Sequence, residues 1–221
     1  MKLLLNALTK YLLGVILLGL FIFLPAGSFC FFNGWLLIGV LFIPMLIIGI
    51  ILFIKDKELL NRRLESKEKI KKQDVIVKLS GLVFIVSFII AGLDYRYTWI
   101  NLPIYIPIIF SIIFLIGYLM YFEVLRENTY LSRTIKVENN QKVIDTGLYG
   151  IVRHPMYTST ILMFLSIPLI LGSLIAFLIF LLYPVLIIVI LLNEEKVLEE
   201  ELSGYKEYKQ KVKYRLIPFI W

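Results

Sequence analysis

Two short stretches of this chain carry side chains able to do chemistry. In VRHPMYTST, Arg153, His154 and Pro155 stand together, and His154 is the one histidine among 221 residues. In NEEKVLEEEL, Glu194 and Glu195 stand side by side. The residue before a proline avoids the helical region, and proline is favoured at the first helical position. The spacing therefore predicts that Pro155 opens a helix with His154 at its edge. A helix start carries unpaired N–H groups and partial positive charge, so with Arg153 beside it this is an anion site. The two carboxylates offer the opposite sign. Taken singly, each cluster also fits an ordinary membrane boundary, where arginine snorkels, histidine caps and carboxylates are solvated. Taken together, they suit a zwitterionic ligand that also carries hydroxyls.

What must bring them together is a hairpin. Apolar runs at 156–171 and 174–192 are separated by Gly172 and Ser173, a turn so short that the two helices are antiparallel neighbours. At 1.5 Å per residue the first leg is about 25 Å and the return to Glu194 about 31 Å. The glutamates therefore return to the level of Arg153 and His154.

The rest of the chain sets the medium. Apolar residues make up 60% of it and mean hydropathy is +0.88. A run of about 20 apolar residues spans a bilayer, and in lipid it must be helical to pair its own backbone. The fold class expected is all-α: a polytopic integral membrane protein with six spans at 11–27, 34–54, 76–93, 102–123, 156–171 and 174–192. The first run also fits a signal peptide, but further spans follow it, and it reads as retained. Residues 1–221 then form a single membrane domain, with four spans in 1–123 and a cofactor-binding region in 124–221. Pro44 and Pro184 fall inside spans and are expected to kink them.

The net charge of +7 is explained by topology rather than by nucleic acid. With the N-terminus inside, every one of the 23 lysines and arginines except Arg96 falls on the cytoplasmic side. That is the bias that orients membrane helices. Both termini are placed in the cytoplasm, in the cell membrane. KDKELLNRRLESKEKIKKQD, Lys55 to Asp74, reads as an interfacial helix or a solvated orienting loop. Asp94 and Arg96 of LDYRY read as an interfacial pair on the outer face. Tyr205, Tyr208 and Val212 recur at helical spacing, giving an amphipathic cytoplasmic helix with Lys209, Lys211, Lys213 and Arg215 near lipid heads. One cysteine excludes an internal disulfide, and one histidine with one cysteine speaks against a zinc or haem site, so no metal is expected.

GLYGIVRHPMYTST, an apolar hairpin, then EEKVLEEEL and YKEYKQKVKYRLIP, in that order, resemble the isoprenylcysteine carboxyl methyltransferase family and its phospholipid methyltransferase relatives, over roughly 120–221. LDYRY and ENTYLSRT are similar to bacterial members. The resemblance implies S-adenosyl-L-methionine bound at the cytoplasmic ends of the last helices. It implies that Gly147, Tyr149, His154, Pro155, Met156 and Tyr157 line the cofactor, with Glu194 or Glu195 holding it and Arg153 and His154 positioning the reactants. It further implies a membrane lipid or prenylated acceptor, with the bilayer as the other partner and the oligomeric state open. One departure stands out. Where the prenylcysteine enzymes carry an arginine about one turn before the glutamate, this chain reads Ile190, Leu191, Leu192, Asn193. Arg153 is the substitute at hand, and a phospholipid amine becomes an alternative to a carboxylate acceptor. A sterol-type reductase using NADPH shares the Arg-His-Pro-x-Tyr stretch, but this chain has Met156 and Thr160 where those enzymes carry Asn and Glu. A non-catalytic membrane protein is the remaining alternative.

Overall fold

In the computed structural model, residues 2–64, 71–131, 137 and 141–221 are described, with 71–73 described for their backbone alone. Helices fill the apolar runs. They are α1 (Lys2–Ala26), α2 (Phe32–Lys55), a short α3 (Lys57–Leu64), α4 (Lys71–Tyr97) and α5 (Tyr105–Glu127). After a loop come α6 (Pro155–Ile170), α7 (Leu174–Phe180), α8 (Leu182–Glu201) and the two-turn α9 (Tyr205–Lys211). No strand occurs among the described residues. The chain is a polytopic, all-helical membrane protein.

Among the described residues, five helical stretches are long and apolar enough to cross a bilayer: 2–26, 32–55, 74–97, 105–127 and 174–201. The remaining expected span, 156–171, is present with the expected length and is shorter than the other five. Helix α6 has 16 residues, about 24 Å, because Pro155 fixes its start and the turn at Gly172 its end. Leu5, Leu24, Leu119 and Leu178 lie exposed on the bundle's outside, a surface only lipid would cover. Of the interfacial helix expected from Lys55 to Asp74, α3 and the start of α4 are present, and 65–70 lie outside the described residues, as do Ser132 to Thr134 of ENTYLSRT.

Helix α5 approaches α6 closely at Gly117. A Cβ there would lie 2.6 Å from Met163 Cγ and 3.3 Å from the Ser159 carbonyl, so a small residue sets the spacing. Pro184 breaks the last span as expected. Its missing N–H leaves the Phe180 carbonyl without a helical partner, and α7 ends at Phe180. At Pro44, by contrast, α2 runs on unbroken.

The hairpin turn closes as its two residues predict. Gly172 takes φ +79°, where glycine meets no steric penalty, and Ser173 accepts from the Ala176 N–H at 3.2 Å to cap α7. Asp94 corrects the outer-pair reading. It is buried, accepts from Ser173 Oγ at 2.6 Å and from Ile100 N at 3.0 Å, and so ties the end of α4 to the hairpin. Arg96 instead lies over the Tyr97 ring at 5.5 Å.

The C-terminal helix is shorter than expected. After α9 the chain is extended, and this strap lies along the start of α6. Arg153 N donates to Tyr214 O at 2.8 Å and His154 N to Arg215 O at 3.0 Å. Thr158 Oγ1 donates to Leu216 O at 2.8 Å.

Candidate active site

The loop before α6, the end of α8 and the strap meet at one end of the bundle. A 3-10 turn, Gly147–Gly150, leads in. It presents Tyr149, whose hydroxyl accepts from Asn128 Nδ2 at 3.1 Å and whose carbonyl accepts from Tyr208 Oη at 2.7 Å. Burial pushes the Tyr149 and Tyr208 hydroxyls up, so both remain protonated. Tyr205, Tyr208 and Val212 share one buried face with Leu202, as their spacing predicts.

Glu195 is the centre of a closed ionic cluster and is only 3% exposed. Its Oε1 accepts from Arg153 Nε at 2.7 Å and lies 3.3 Å from His154 Nε2. Its Oε2 accepts from Arg215 Nε at 2.9 Å. Arg153 Nη1 donates further to the carbonyls of Val212 and Lys213, at 2.9 and 2.8 Å. The cluster therefore clasps the strap to α6 and α8. Arg215 and its basic neighbours were expected against lipid heads. In the structure Arg215 binds Glu195, Lys209 binds Glu199, and Lys211 Nζ lies 2.6 Å from Asp145.

Glu194, one residue earlier, faces elsewhere. A helix turns 100° per residue, and this carboxylate accepts from Tyr157 Oη on the wall of a cleft of about 90 Å³. Of the site residues read from sequence, Tyr149, Arg153, His154, Met156, Tyr157 and Glu194 line that cleft, while Gly147, Pro155 and Glu195 stand off it. Pro155 starts α6 behind the wall. Gly147 makes the lead-in turn at φ +53°.

Asn128, Gln141, Leu198 and Tyr205 complete much of the cleft. They were not legible as site residues, because their segments meet only in three dimensions. Tyr205 is informative. Its residue is 4% exposed, and its buried hydroxyl has no hydrogen-bond partner among the described residues. Burial, then the nearby Glu195 and Glu194 carboxylates, push it up, so it is held as a neutral O–H. A buried unpaired hydroxyl costs about 1–3 kcal/mol, and a ligand oxygen or nitrogen in the cleft would recover that.

A second, larger cavity adjoins the cleft. It holds about 790 Å³ and runs between α1, α2, α4, α5, α6 and α8. Its walls are apolar side chains such as Leu18, Phe42, Phe88 and Met163. Met156 and Glu194 line the cleft, and Thr160 and Ile190 line the chamber. On both helices the two spaces are four residues apart, about 6 Å of rise.

Residues 104–204 match the phospholipid methyltransferase family. No curated protein matches the chain. The phospholipid methyltransferase match begins earlier than the resemblance read from sequence and stops before α9. It takes in the cleft residues from Tyr149 to Glu194 and leaves Tyr205, the strap and α3 outside. The chain thus joins a segment similar to phospholipid methyltransferases to five long apolar helices among the described residues.

Proposed function

We propose that the protein is a multi-pass membrane methyltransferase that uses S-adenosyl-L-methionine to methylate a lipid-like acceptor. One observation carries the reading: a polar cleft and a large apolar chamber open beside each other one helical turn apart on α6 and α8. A water-soluble cofactor and a lipid can then meet end to end. The donor set of the cleft fits the cofactor's groups. Glu194 suits its ammonium or ribose hydroxyls, and the unpartnered Tyr205 hydroxyl supplies one further hydrogen bond, while Arg153 and His154, held by Glu195, form the wall beside them.

The cofactor supplies a methyl group on a sulfonium, already activated for in-line displacement by a lone pair on the acceptor, with the sulfur retaining the electrons of the broken bond. The protein's part is alignment and exclusion of water. Tyr157 orients Glu194 by donating to it. The clasp at Glu195 holds the strap and so positions Tyr205 and Tyr208 over the cleft. A carboxylate acceptor needs no base. An amine acceptor must lose a proton, and Glu194, on the cleft wall, is placed to take it. Basic residues gathered at this end of the bundle favour a cytoplasmic orientation for both termini, the side from which such a cofactor comes. Prenylated and phospholipid acceptors both fit an apolar chamber.

The test is calorimetric titration of detergent-solubilised protein with S-adenosylhomocysteine and, separately, NADPH. Micromolar binding of S-adenosylhomocysteine is expected, weakened in Glu194→Gln. Binding of NADPH instead would sink the methyltransferase reading in favour of a reductase. Binding of neither by folded protein would leave a non-catalytic scaffold.

A further inference from the structure

Arg63 stands where the cleft and the chamber meet. It comes from the second turn of α3 and is the one charged side chain on the chamber wall among the described residues. It is half-buried, it donates to Tyr121 Oη, and its guanidinium lies 5.5 Å from the centroid of the Tyr121 ring. Its Nη1 lies 3.8 Å from the sulfur of Met156, a residue of the cleft wall. One guanidinium thus lines the chamber and touches a side chain of the cleft wall.

A cation at the head of a large apolar space is costly and has a function by default. The planar fork of arginine matches the two oxygens of a carboxylate or phosphate. Arg153 and Arg215 turn their Nε to Glu195, away from the chamber. Helix α8 offers no cation at the junction either, since Ile190 is the residue there. We infer that Arg63 binds an oxyanion on the acceptor's headgroup, so that the acceptor is a lipid with an anionic group at or beside the methylated atom and its tails in the chamber. This rests on the methyltransferase reading. The oxyanion is either a carboxylate on an isoprenoid or the phosphate of a phospholipid, and Arg63 lies outside the residues matched to the family.

The position explains the chemistry it would serve. An oxyanion on Arg63 sits beside Met156, whose neighbour Tyr157 donates to Glu194 on the cofactor side. The chain of the lipid then extends past Thr160 and Ile190 toward Phe84 and Phe88. Tyr121 fixes the guanidinium from α5.

The experiment measures binding of matched probes to purified protein in nanodiscs by native mass spectrometry. One arm compares farnesylthioacetate with its methyl ester. The other compares dioleoylphosphatidylethanolamine with dioleoylglycerol. Wild type should prefer the charged member of one pair by about ten-fold or more, the scale of one charge-assisted hydrogen-bonded contact. That arm names the source of the oxyanion. Arg63→Ala should abolish the preference, Arg63→Lys should keep part of it, and Tyr121→Phe should reduce it by a smaller factor. Should Arg63→Ala melt early, Arg63→Gln takes its place with the same expected loss. S-adenosylhomocysteine affinity and the thermal melt are read in each variant to show that the fold and the cleft persist. The inference is overturned if wild type shows no preference in either arm, or if folded Arg63→Ala or Arg63→Gln keeps it. Absence of S-adenosylhomocysteine binding in wild type would instead count against the methyltransferase reading, and the lipid arms would still judge Arg63.

Discussion

Glu194 and Glu195 are neighbours with the same side chain, yet they belong to different regions. Glu195 is sealed among Arg153, His154 and Arg215 and fastens the strap. Glu194 lies half-exposed on the cleft wall with the Tyr157 hydroxyl. A rotation of 100° about α8 separates a carboxylate that holds the protein together from one turned to the cleft. The sequence resemblance left the choice between them open, and the two predict different losses when removed.

The largest effect should come from Glu195→Ala. It strands two guanidiniums beside a histidine, and removing one partner of a buried ion pair costs about 3–5 kcal/mol. We expect a fall in melting temperature in detergent, early proteolysis of the strap and loss of S-adenosylhomocysteine binding together. An unchanged melt would break the distinction between the two carboxylates. Glu194→Gln should do the reverse: a melt close to wild type, with affinity for S-adenosylhomocysteine reduced about ten-fold or more, as for loss of one charged hydrogen bond. Equal destabilisation by both variants would show that they share one role.

A smaller effect is expected at Tyr205→Phe. Without ligand, removing a buried unpaired hydroxyl should leave stability equal or slightly higher. With ligand it should weaken binding by a few-fold, about 0.5–1.5 kcal/mol. Calorimetry beside a thermal melt reads both. The smallest effect belongs to Lys211→Ala at the exposed pair with Asp145. Lys211 holds the Asp145 carboxyl below its usual range. The pair's contribution is therefore present above the ordinary carboxylate pKa and lost as pH falls through the lowered one. The variant should differ slightly from wild type at neutral pH and not at all in strong acid, by melts across a pH series.

Much of the fold was legible because lipid leaves the backbone few options. Long apolar runs had to be helices, and Gly172 with Ser173 had to turn the hairpin, whereas of the two prolines expected to kink spans Pro184 interrupts one and Pro44 does not. The meeting of Arg153 and His154 with the glutamates followed from two helix lengths alone. The departures have local causes. Asp94 is buried because Ser173 and Ile100 satisfy it. The strap is extended because its carbonyls serve Arg153 and His154, a demand invisible in the pattern of Tyr205, Tyr208 and Val212.

By itself the sequence determined the all-helical membrane architecture, the hairpin and the proximity of its two charged clusters, since hydropathy, proline and glycine act locally. The tertiary structure decided which carboxylate faces the cleft, which tyrosine is left without a partner, and that Arg63, about 90 residues away in sequence from Met156, reaches its sulfur. Those outcomes depend on rotation about a helix axis and on contacts between distant segments, which no local pattern encodes.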